Sequence, residues 1–96
     1  MTKAPVCAAS KGLGKGCAQA LVREVAQRVP GVIDTEKCFI RKSGMKYHVD
    51  LHAVVNGQIS VKDGHDIAHQ LKDTLRTELP ALGHVLIHIE PHYASL

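Results

Sequence analysis

Lys46-Tyr47-His48-Val49-Asp50-Leu51-His52-Ala53-Val54-Val55 alternates strictly from Lys46 to Ala53. Tyr47, Val49, Leu51, Ala53 and Val55 point one way; Lys46, His48, Asp50 and His52 point the other. A two-residue period of this kind reads as a β-strand with one face on a core and one face open. The open face carries two imidazoles and a carboxylate in succession. These are borderline ligands of the sort zinc takes. The rest of the chain reads as a scaffold for that face and a source of further ligands.

On the N-terminal side, Ser43-Gly44 supplies a tight turn into this strand from an earlier one over residues 32–42, where Phe39 and Ile40 are the strongest strand formers. Before that, Cys17, Ala18, Leu21, Val22, Val25 and Val29 recur at spacings of three and four. They predict an amphipathic helix over 17–29, ended by Pro30-Gly31. Cys17 falls on its apolar stripe and reads as a small buried hydrophobe. Residues 1–16 read as a flexible leader. Lys11-Gly12-Leu13-Gly14-Lys15-Gly16 has no four-residue gap between glycines and no Gly-Lys-Ser/Thr ending, so it is no phosphate loop.

On the C-terminal side, Asn56-Gly57 turns the chain out of the strand. Ser60, with Asp63 three residues on, starts a second helix that runs to Leu79 and is stopped by Pro80. Ile67, Ala68, Leu71, Leu75 and Leu79 form its apolar stripe. His65 lies on the border of that stripe and His69 further toward solvent. A third strand spans His84 to Glu90 and ends at Pro91; residues 92–96 read as a tail. The order helix-strand-strand-helix-strand predicts an α+β, two-layer fold with a three-stranded mixed sheet. The hairpin is antiparallel, and the right-handed crossover makes strands two and three parallel neighbours. Both helices then lie on one face and leave the other open.

The 96 residues fit one small domain, and with only three aromatics its core is aliphatic. The charge of +3 is scattered and gives no stripe for nucleic acid. Three cysteines, Cys7, Cys17 and Cys38, are an odd number without a signal peptide, which predicts reduced thiols and a cytoplasmic setting. No apolar run approaches the ~20 residues that span a bilayer. The anomaly is histidine: seven residues, about threefold above ordinary usage.

The strand phases suggest where those imidazoles meet. His52 projects from strand two, His88 and Glu90 from strand three, and His65 from the flank of the second helix. Three imidazoles and a carboxylate suit one tetrahedral ion. His48 and Asp50 on the same surface, with His69, suggest a second and weaker site. His84 and His92 read as solvent-facing. His65 and His69 have no Glu between them in the His-Glu-x-x-His manner, so a zinc protease is not indicated. No nucleophile signature stands out, and four protein ligands leave no open position for catalytic water, so no enzyme is expected.

Ile40-Arg41-Lys42-Ser43-Gly44, His48-Val49-Asp50-Leu51-His52, Gly64-His65-Asp66-Ile67-Ala68 and Val85-Leu86-Ile87-His88-Ile89-Glu90-Pro91 occur in order, and together the chain resembles the cytoplasmic C-terminal domain of cation diffusion facilitator transporters. The similarity covers about residues 22–91. It implies a metallochaperone-like, ferredoxin-like fold and a V-shaped homodimer whose arms move together on binding metal. It implies that His52, His65, His88 and Glu90 take the positions of the family's ligands near the dimer interface. Zinc is the first candidate cation; cadmium, cobalt, nickel, iron and manganese are the others. The implied role is to sense cytoplasmic metal and bias a membrane part toward transport. No transmembrane helices precede the domain in this sequence. The alternative expectation is therefore a free-standing metal carrier, buffer or trans-acting partner, with Cys7 and Cys17 as exchangeable thiols.

Overall fold

The computed structural model describes residues 15–92. Two helices, α1 (Lys15–Gln27) and α2 (Val61–Glu78), pack on one face of a sheet of three strands, β1 (Asp34–Ser43), β2 (Lys46–Asn56) and β3 (Leu82–His92). The strand order is β1-β2-β3, with β1 antiparallel and β3 parallel to the central β2. The expected α+β architecture and mixed sheet are therefore present. Most of the predicted 1–16 leader, including Cys7, lies outside the described residues, but its last two residues already belong to α1.

The two-residue period of β2 is realised as burial. Val49, Leu51 and Ala53 are fully buried, whereas Asp50 is exposed and His48 and His52 are half-covered. β1 follows suit, with Cys38 and Ile40 facing in and Phe39 and Arg41 facing out. Val22, Val25 and Ala26 of α1 and Leu71 and Leu75 of α2 close the core over this face. Arg23 donates from Nη1 to the Thr35 carbonyl (2.8 Å), and Gln19 donates from Nε2 to the Cys38 carbonyl (2.8 Å). These bonds clamp α1 to β1 on either side of the irregularity between Thr35 and Cys38, where the ladder itself is interrupted.

The turns behave as their residues dictate. Gly44, at φ 61°, opens the hairpin between β1 and β2 with the left-handed backbone that such short connections need. Ser60 caps α2, its hydroxyl accepting from the Asp63 amide at 3.0 Å.

Two expectations for β3 are corrected. The strand begins at Leu82, not His84, and runs through Pro91 to His92, so His92 is not in a tail. Pro91 is tolerated because β3 is an edge strand and one of its sides needs no ladder donors. The early start depends on a bulge. Tyr47 pairs with Leu82 but His48 pairs with His84, leaving Gly83 as an extra residue. The bulge lets Leu82 and Val85, three residues apart, both face the core.

Burial pushes the Cys38 thiol above its ordinary value of 9.0, against a smaller opposing pull from Arg23. The neutral thiol is thus favoured in the fold. Its contribution is complete below the unfolded thiol's pKa and is lost as pH climbs through the raised folded value. Between about pH 8 and about pH 10, the urea midpoint is expected to fall less steeply in Cys38→Ala than in the parent. Parallel slopes would show that this thiol does not drive the alkaline loss.

Candidate metal centre

The sheet face opposite the helices is open. It is lined by Phe39 and Arg41 of β1, His48, Asp50 and His52 of β2, and His84, Leu86, His88 and Glu90 of β3. Because β2 and β3 are parallel and in step beyond the bulge, His48 stands opposite His84, and His52 opposite His88. Four imidazoles therefore form two cross-strand pairs on one surface.

The second pair lies nearer the Asn56 end of β2. The rings of His52 and His88 stack, with centroids 4.4 Å apart and planes 13° from parallel. His52 Nδ1 and Glu90 Oε2 lie 2.5 Å apart, and the His52 side chain keeps 19% of its exposure. The edge of Phe39 meets the other side of the His52 ring at 6.5 Å between centroids. Two imidazoles and a carboxylate are a donor set for a borderline divalent ion. When Nδ1–H of His52 donates to Glu90, Nε2 is the nitrogen left with a lone pair. That is the usual way a carboxylate orients a ligating histidine.

His65 and His69 are elsewhere. They sit one turn apart on α2, both exposed, with ring centroids 4.4 Å apart in an edge-to-face arrangement. His65 borders an apolar cavity of about 430 Å³ whose lining includes Ala68, Ile87, Ile89 and Pro91. Ile87 and Ile89 are the residues of β3 that alternate with His88 and Glu90, so this cavity lies on the helix side of the strand. Within one chain the sheet separates His65 from the His52–His88 pair. Among the described residues, no three His, Cys, Asp or Glu side chains converge on one point as a ready metal cage.

His48 and Asp50 do not meet His69 as expected. They share a smaller cavity of about 190 Å³ with His84, Arg41, Phe39 and Ile40. His84, read from the sequence as solvent-facing, is the residue that periodicity missed, and its signal is its register with His48 across the sheet. His92 is exposed, opposite Asn56. Cys17 is half-buried on α1.

The family model described as the cytoplasmic domain of cation efflux proteins matches residues 16–92. Among curated proteins, none matches the chain. Solved structures of the MamM CTD share its fold. A nickel form of one variant is 19% identical, with a TM-score of 0.79, over 81% of this chain and 99% of that one. A cadmium form of another is 20% identical, with a TM-score of 0.79, over 81% and 96%. A form spanning residues 215–293 of that protein is 20% identical, with a TM-score of 0.80, over 82% and 100%. At this identity the likeness speaks for the fold alone. Among the described residues, no helix is long and apolar enough to cross a membrane.

Proposed function

Because the chain belongs to the family of cytoplasmic domains of cation efflux proteins, we propose that it binds divalent cations, zinc foremost, as a cytoplasmic homodimeric regulatory domain and not as an enzyme. The observation that carries this reading is the His52–Glu90–His88 cluster on an otherwise uncovered sheet face. In this reading His52 and His88 ligate, and Glu90 ligates or orients His52 while offsetting the cation's charge. The stacked rings turn toward a common ion as it binds, which makes the side chains responsive to its arrival.

A second copy supplies what one chain lacks. Phe39 is 59% exposed and Leu86 44% exposed on the same face, and laying another sheet face over them removes apolar surface from water. The facing copy also completes the coordination sphere. His65 and His69, on the rim of α2, serve a cation only with groups from that copy or from solvent. The nickel and cadmium forms of MamM CTD variants support a cation range wider than zinc, and imidazole with carboxylate also suits cobalt, iron and manganese. Coupled to a membrane part, such a dimer reports cation level as a change in the angle between its two halves.

Zinc titration followed by thermal unfolding tests this reading. A ligand that binds only the folded chain stabilises it by RT ln(1 + [L]/Kd), about 2.7 kcal/mol at a hundredfold excess over Kd. The parent is expected to show that gain and His52→Ala/His88→Ala to lose most of it. Equal gains in both would remove the cluster from consideration. Sedimentation velocity should show a dimer in the presence of zinc; a monomer throughout would remove the dimer from the proposal.

A further inference from the structure

We propose that the hairpin tip between β1 and β2 docks on an anionic lipid surface, with Met45 as the inserting side chain and Arg41, Lys42, Lys46 and Arg76 as the cations around it. The tip lies apart from the His52–Glu90–His88 cluster and needs no metal ion, so it stands whatever that cluster binds.

The tip is short. β1 ends at Ser43 and β2 starts at Lys46, and these two residues pair across the ladder. Gly44 and Met45 alone make the turn, and Gly44 takes its left-handed backbone at φ 61°. Residues 41–46 are all exposed, and Met45 at the apex is 90% exposed. Its side chain therefore takes no part in the core. A flexible thioether on a convex apex suits a surface that yields to it rather than a rigid groove.

Cations flank the apex on both sides of the ribbon. Lys42 pairs with Tyr47, and its Nζ stands 5.9 Å from the centroid of that ring, toward the helix layer. Arg41 pairs with His48 on the open face, and Lys46 shares the phase of His48. The fold adds Arg76 from the last turn of α2, whose Nη2 donates to the Gly83 carbonyl at 3.3 Å. Gly83 in turn lies against the Lys46 side chain. Lys46 donates one hydrogen bond from Nζ to the Pro80 carbonyl at 3.1 Å, which leaves two of its three donors for a lipid phosphate.

Little acid opposes them. No Asp or Glu occurs from Lys37 to Val49. The acids in the last turns of α2 are Glu78, which Arg28 engages at 3.8 Å, and Asp73, one turn before Arg76. The whole chain carries only +3, so four cations gathered at one end give the domain a positive pole.

The apolar apex decides between partners. Nucleic acid would use the cations and leave Met45 idle. An anionic leaflet uses both, because each cation near it adds attraction while the apolar side chain leaves water. That attraction fades within about 8 Å at physiological ionic strength, so only charges near the tip contribute.

Vesicle binding by the full chain, with EDTA present so that no divalent ion takes part, tests the proposal. The chain has no tryptophan, so Met45→Trp places a single indole at the apex. Its emission is expected to shift to the blue with vesicles of phosphatidylserine and phosphatidylcholine, and to stay put with phosphatidylcholine alone. In co-sedimentation with the mixed vesicles, Arg41→Ala and Lys42→Ala should each weaken binding about fivefold, the factor that matches one cation beside an anionic leaflet. Met45→Ser should weaken it severalfold with the charge untouched. Lys62→Ala, at the opposite end of α2, should leave it unchanged. Residues 41, 42 and 45 are exposed, so these variants should keep the parent's amide spectrum. An indole emission that does not move with the mixed vesicles would overturn the proposal. So would a loss in Lys62→Ala as large as that in Lys42→Ala. Binding to duplex DNA as tight as to vesicles, with Met45→Ser without effect on either, would replace the lipid surface by a general polyanion site.

Discussion

Leu51→Ala is expected to lower the stability of the folded chain by about 3 kcal/mol, within the range for large-to-small changes in a core. Leu51 is at 0% exposure in the central strand, between Cys38 of β1 and Ile87 of β3. It has ladder partners on both sides and the helix layer above it. The cavity left by its side chain cannot collapse, because the strands on either side are held by their hydrogen bonds. A domain this small has a total stability of about 5–15 kcal/mol, so the loss is a large share of the whole. The urea midpoint should fall while its m value stays constant. The control is Phe39→Ala on the opposite face, where the ring is 59% exposed and the change should cost far less in the monomer. Equal costs at the two positions would mean that the helices do not cover the face assigned to them.

Gly83→Ala is expected to be the other costly change, at about 1–3 kcal/mol, the usual scale of overpacking. A Cβ at this position would lie 2.9 Å from the Cβ of Lys46 and 3.3 Å from its Cγ. The Lys46 Cβ is fixed to the backbone of β2 and cannot swing aside. The same residue is tied down at its far end, where Nζ donates to the Pro80 carbonyl at 3.1 Å. The next amide, that of Tyr47, donates to the Ala81 carbonyl at 3.0 Å. Relief must come from the strand pairing, at the point that sets His84 against His48. Lys46→Gly should therefore rescue much of the loss, and the two changes should be strongly non-additive. Additive losses would mean that the alanine is accommodated without touching β2.

Much of this arrangement is written locally. The alternation from Lys46 to Ala53 gives the central strand and both of its faces. Ser60 with Asp63 gives the start of α2 to the residue, because a cap is a contact three positions long. The pairing of parallel strands follows from the crossover rule. What was not legible depends on contacts between distant segments. The bulge at Gly83 breaks the two-residue period where β3 begins, so periodicity started the strand two residues late and left His84 without its partner. The extension through Pro91 depends on β3 being an edge, a property of the sheet and not of the proline. The place of His65 was legible only as a bearing on its own helix. The 100° rotation per residue says which side of α2 it occupies, not which side of the sheet that rim overlooks. The expectation of four ligands at one point therefore merged residues that a single chain keeps on two sides of β3.

That last strand has a mechanical consequence. β3, like β1, is bonded to a neighbour along one edge only, so its outer edge carries no ladder bonds. Its odd-numbered side chains, Ile87 and Ile89, floor the hollow beneath His65, while its even-numbered ones, His88 and Glu90, reach the opposite surface. Neighbouring residues share a peptide plane, so the backbone that carries His88 is the same backbone that carries Ile87 and Ile89. The strand thus joins the open face to the hollow under α2 through its own backbone, without any side chain passing through the wall.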